Sequence, residues 1–73
     1  MKIHYDSSVD ALYIELHPIE PGTAESKELS DEIIADYTAD GKLVGIEVLD
    51  ASQLIAKEDL QRIFFEVSAP VAA

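Results

Sequence analysis

Two apolar stretches, Ile33–Tyr37 and Leu43–Leu49, flank Thr38-Ala39-Asp40-Gly41-Lys42, and this unit constrains the fold more than any other part of the chain. Asp-Gly supplies the positive φ that a tight hairpin needs, because glycine has no Cβ to clash there. The second stretch alternates. Val44, Ile46 and Val48 share one face, and Leu43, Gly45, Glu47 and Leu49 share the other. Such alternation marks a β-strand with one face toward a core. The other face is not cleanly polar, since Leu43, Leu49, Tyr13 and, depending on register, Tyr37 leave apolar area on it. That area needs a cover, either a helix or a second subunit.

The amino-terminal part repeats the pattern. In Met1–Asp6, Met1, Ile3 and Tyr5 fall opposite Lys2, His4 and Asp6; in Ala11–Leu16, Leu12, Ile14 and Leu16 fall opposite Ala11, Tyr13 and Glu15. Asp6-Ser7-Ser8-Val9-Asp10 between them is turn chemistry, so the two strands are expected to pair antiparallel. His17-Pro18-Ile19-Glu20-Pro21-Gly22 is a loop with a Pro-Gly turn. Thr23–Leu29 is polar and reads as an exposed strand guarded by its charges, although a charged helical turn fits its composition as well.

Asp50-Ala51-Ser52 ends the strand run and offers N-cap side chains. From Lys57 onward, Leu60, Ile63, Phe64 and Val67 fit a helical face, while Ile63, Phe65 and Val67 alternate as in a strand. The preferred reading is a short helix through about Gln61 followed by a strand over Arg62–Val67. Phe64 and Phe65 are adjacent, so a strand there would send one of them away from the core. The expected class is therefore a β-rich α+β fold: a small antiparallel β-meander sheet, a short C-terminal helix and a final strand. One domain is expected over residues 1–68, with a disordered tail expected at 69–73.

At 73 residues the core is small. Burial of apolar surface contributes ~110 kcal/mol, and ordering the chain costs ~110 kcal/mol, so a lone monomer is marginal and a homodimer is expected. The absence of cysteine excludes disulfides and thiolate-ligated zinc. No apolar run is long enough to cross a membrane, and Asp6 interrupts any secretory signal near Met1, so a cytoplasmic location is expected. The formal net charge is -10, with 15 acids against five bases. Lys2, Lys27, Lys42, Lys57 and Arg62 are scattered among the acids, which makes nucleic acid an unfavourable partner and a basic protein a favourable one.

Tyr5-Asp6…Val9-Asp10-Ala11-Leu12-Tyr13-Ile14 resembles the opening motif of the small bacterial and archaeal family catalogued as DUF2283. The resemblance continues through Ala24-Glu25-Ser26, Asp36-Tyr37…Asp40-Gly41 and Val44-Gly45-Ile46-Glu47-Val48-Leu49-Asp50-Ala51-Ser52. It covers roughly residues 1–52 in the expected order. Asp31-Glu32 stands where such proteins often carry Asp-Gly, so that turn is expected to adopt another geometry or to carry slight strain. The resemblance implies a small β-rich fold with no assigned function. Some similar proteins lie beside toxin-like genes in small operons, which associates the family with an antitoxin-like or partner-binding role.

Three groups of residues invite chemistry. Asp6 and Asp10, with Tyr5 and Tyr13, could ligate a hard cation or split their pKa values for acid/base work. They suit the bland role better: Asp6 in an Asx-turn and Asp10 at the far side of the hairpin. His4 and His17 lack the spacing that links metal-binding histidines, and the EF-hand pattern is missing. Glu47 is the single acid on an apolar strand and would be a general base if covered, but is expected to face solvent or a cation. No serine stands in a nucleophile elbow, and Gly22, Gly41 and Gly45 are too scattered to cradle phosphate. Gly41 reads as a turn residue and Gly45 as a point of close approach. No catalytic, cofactor or metal residue is therefore assigned. The expected function is a non-enzymatic protein-interaction module. The alternative is a metal-dependent or acid/base enzyme whose site, built from Asp6, Asp10, His4 or Glu47, straddles two subunits.

Overall fold

The computed structural model describes residues 1–69. The expected strands form: the alternating segments give β1 (Lys2–Asp6), β2 (Ala11–Glu15), β4 (Ile33–Tyr37) and β5 (Leu43–Val48), and the polar segment gives a strand, β3 (Glu25–Glu28), rather than a helical turn. All neighbours run antiparallel in one sheet of order β1-β2-β5-β4-β3. The β-rich class with an antiparallel meander is present: β3, β4 and β5 meander, and the β1–β2 hairpin docks on β5. The loop after β2 therefore carries the chain across to the opposite edge. Its Pro-Gly turn is closed by Thr23, whose N–H and Oγ both donate to the Glu20 carbonyl, with Gly22 at φ +80. Within the polar Thr23–Leu29 segment, Glu25–Glu28 forms an edge strand, exposed throughout.

The register decides which side chains share a face. Ile3 pairs with Ile14, Ile14 with Ile46, and Ile46 with Ala35. Tyr5, Leu12, Val48 and Ile33 run parallel to that row, giving one continuous apolar face. The opposite face carries His4, Tyr13, Glu47 and Ile34 in one row and Glu15, Gly45, Asp36 and Ser26 in the next.

Turn chemistry follows local composition. Gly41 takes φ +87 in the β4–β5 hairpin. Between β3 and β4 no residue enters the left-handed region, and Ser30 does the work instead. Its Oγ accepts the N–H groups of Ile33 at 3.1 Å and Glu32 at 3.3 Å, which is how Asp31-Glu32 dispenses with glycine.

The carboxy-terminal expectations need correcting. The helix, α1, is a single turn at Ala51–Leu54, and Asp59–Gln61 forms a 3-10 turn. The helix expected through about Gln61 does not form as one element, and Arg62–Val67 is not a strand. A strand requires a hydrogen-bonded neighbour, and this segment meets none among the described residues despite its alternation. The tail expected at 69–73 lies, beyond Ala69, outside the described residues.

α1, at about 6 Å long, is too short to cover either face of the sheet. Burial is correspondingly thin. Among the described residues, Ala35, Val44 and Ala51 are the buried hydrophobic ones, and no large side chain is fully enclosed. The radius of gyration is 14.0 Å, against about 11 Å for a compact chain of this length. Residues 62–69 form an arm without regular secondary structure, exposed along its whole length.

Candidate functional site

Two carboxylates that invited chemistry tie the fold together. Asp6 Oδ1 accepts the Ser8 N–H at 3.0 Å and its hydroxyl at 2.6 Å, closing the Asx-turn. These bonds hold the Asp6 carboxyl below its ordinary range. Asp10 takes a left-handed conformation at φ 53, which aspartate tolerates better than most residues. Its Oδ1 accepts the Tyr5 hydroxyl at 2.7 Å and the Ser52 N–H at 3.0 Å, and its Oδ2 accepts the Ser52 hydroxyl at 2.7 Å. Its carbonyl accepts the Ala51 N–H at 2.9 Å.

Asp10 thus caps a helix 42 residues downstream. The local cap expected from Asp50 is not made, because Asp50 is itself left-handed at φ 50 and its side chain bonds nothing there. The Ser52 bonds, with the Tyr5 hydroxyl next, depress the Asp10 carboxyl, and the same bond to Asp10 raises the Tyr5 phenol.

A second network lies on the mixed face. Tyr13 crosses over Gly45, where a Cβ would collide with the phenol ring, so the close approach read from the sequence is made by Tyr13. The Tyr13 hydroxyl donates to Asp36 Oδ2 at 3.0 Å, and the Ser26 hydroxyl donates to Asp36 Oδ1 at 2.6 Å. Burial foremost, then the Asp36 bond and the charges of Asp36, Glu15 and Glu47, push the Tyr13 phenol above its ordinary range. Sequence reasoning passed over Asp36 and Ser52. An aspartate inside a strand, where that residue is depleted, was the available signal for Asp36; Ser52 was marked only as one of the residues offering a local N-cap, not as a partner of Asp10.

The remaining candidates stay apart. His4 faces Tyr13 across the β1–β2 register, whereas His17 lies in the bend after β2, its N–H donating to the Val44 carbonyl. Glu47 stands half-buried between Tyr13 and Ile34. Lys2, His4, Tyr13 and Glu15 line a shallow hollow of about 250 Å³. Among the described residues no three histidine or carboxylate side chains group closely enough to hold a metal ion. Nor, among them, is any helix long and apolar enough to cross a membrane.

The protein-of-unknown-function family DUF2283 matches residues 2–52, more than half of the chain. The chain belongs to this family. No curated protein and no solved structure matches it. The family match stops at Ser52, so the Asp10–Ser52 clasp lies inside it and the exposed arm lies beyond it.

The most unusual surface of this DUF2283 protein is at that arm. Phe64 is 82% exposed, Phe65 80%, Met1 77%, Val67 74% and Ile63 63%. Met1, Ile3, Ile63 and Phe65 line an open groove of about 460 Å³ between the free edge of β1 and the arm. The Arg62 guanidinium sits 5.5 Å from the centre of the Phe64 ring, a cation–π distance. Both Phe side chains therefore stand in solvent, where the sequence placed one of them in the core.

Proposed function

We propose that this protein is a cytoplasmic, non-enzymatic protein-interaction module of the antitoxin-like, partner-binding kind, whose acidic body attracts a basic protein. One observation carries the reading. The chain exposes 5954 Å² of surface, against about 4,450 Å² for a compact monomer of its mass. Met1, Ile63, Phe64, Phe65 and Val67, each more than 60% exposed, gather in the chain's first residue and its arm, and exposed apolar side chains in number mark a contact site.

The acids support the same reading. Asp6, Asp10 and Asp36 are engaged in bonds that hold turns, helix and sheet together, which is a structural use for them. Glu25, Glu28 and Asp31 project from the β3 edge and its turn, where a positively charged surface would meet them first.

The test is co-purification from the native host with the tagged chain and with a Glu25→Lys/Glu28→Lys variant. A basic protein retained at moderate salt by the native chain and lost by the variant is the expected result. Recovery of no basic protein, or equal recovery by both, overturns the proposal.

A further inference from the structure

We infer that the apolar end pairs with the same end of a second copy of this chain, the arm of each copy closing the β1 groove of the other about a two-fold axis. The inference deepens the interaction reading and rests on it, but it concerns the purified chain alone. Four observations converge on a second copy as the occupant.

The first is pattern. Ile63, Phe65 and Val67 alternate, as do Met1, Ile3 and Tyr5 on β1. Arg62 already has strand-like backbone angles, φ -137 and ψ 124. Both segments are therefore shaped for strand-like contact, and β1 lies at the sheet edge with one side unpaired. The second is orientation. Ile63 and Phe65 line the groove of their own chain, whereas Phe64 does not line it and is 82% exposed, with the Arg62 guanidinium over its ring. That ring is available to a neighbour.

The third is area. With roughly 150–250 Å² per aromatic side chain, the arm and the β1 end present on the order of 700 Å² of apolar surface, close to the ~800 Å² per partner of a standard interface. The fourth is charge. The segments forming this end, residues 1–6 and 57–67, hold three cations (Lys2, Lys57, Arg62) against four acids (Asp6, Glu58, Asp59, Glu66). Residues 7–56 hold two cations against eleven acids. The repulsion between two copies at net charge -10 is thus concentrated away from this end. A basic partner would find little to attract it here, whereas a like copy meets little opposition.

The experiment is light scattering and sedimentation of the full chain across a concentration series, with amide exchange of Ile63–Val67 followed in parallel. The expected species is a dimer of twice the 8.0 kDa chain mass, with arm amides protected only at concentrations where the dimer forms. Phe64→Asp and Phe65→Asp each weaken association by at least about 100-fold. Their far-ultraviolet dichroism stays native, because both side chains are exposed in the monomer. Leu43→Asp, on the mixed face away from the arm, leaves association intact.

A chain that stays monomeric at high concentration overturns the inference, whether its arm amides are open or are protected independently of concentration. So does a dimer that survives both Phe variants or is dissolved by Leu43→Asp. None of these outcomes decides whether a basic protein binds the acidic body, so failure here is distinguishable from failure of the interaction reading.

Discussion

Gly45→Ala is the sharpest probe of the sheet. A Cβ at position 45 would stand 2.7 Å from Tyr13 Cζ and nearer still to its oxygen, whereas unstrained carbon pairs sit about 3.5–4.0 Å apart. The ring must retreat by roughly 1 Å, which pulls its hydroxyl from the 3.0 Å bond to Asp36. Overpacking costs ~1–3 kcal/mol. A hydrogen bond to a charged group contributes ~1.5–3 kcal/mol, taken at the low end because the pair is half-buried. Alanine recovers ~0.5–1 kcal/mol of the entropy that glycine loses in a strand.

The net loss is about 2–3 kcal/mol, a fall in Tm of roughly 10–20 °C for a domain of this size. Thermal and urea unfolding at fixed protein concentration measure it, in the native background and in Tyr13→Val. Without the phenol the overlap disappears, so Gly45→Ala should there be neutral or mildly stabilising. A loss below about 0.5 kcal/mol in the native background, or an equal loss in both, refutes the packing argument.

Three further outcomes follow from the same geometry. Asp6 and Asp10 have folded-state pKa values below their unfolded ones, so their stabilisation is present above the unfolded carboxyl range and is lost as pH falls through the folded values. Urea titrations between about pH 5 and 2 should show that loss, and Asp10→Asn should reduce the acid-side slope by up to about one proton. Tyr13 has the opposite sign: its raised pKa stabilises the fold below the unfolded phenol range, and that contribution is lost as pH climbs through the folded value. Ultraviolet titration should therefore show a late-ionising phenol that Tyr13→Phe removes, and an unchanged curve would contradict the Asp36 contact. Gly41→Ala, forced to adopt φ +87, should cost about 1–2 kcal/mol in chemical unfolding with the strand pattern of the dichroism spectrum retained.

Strands, turns and the family were legible in the residues because alternation, Asp-Gly and Asx chemistry act over a few positions. Every expected strand from Met1 to Leu49 appears within a residue or two of its predicted ends, and Gly41 and Gly45 play the roles their surroundings suggested. The carboxy-terminal segment was not legible. Ile63-Phe64-Phe65-Glu66-Val67 satisfies strand and helix patterns alike, and local preference cannot say whether an edge is within reach to pair with it.

The sequence alone determined which residues between Met1 and Leu49 form strands, where the chain turns and how its charge is distributed, since these depend on neighbours along the chain. Only the tertiary structure decided the strand order β1-β2-β5-β4-β3. It also decided that Asp10 reaches Ser52 across 42 residues and Tyr13 reaches Asp36 across 23, and that the Phe64-Phe65 arm stands outside the core. These are long-range pairings, fixed by how the two hairpins dock and by how little one helical turn can cover.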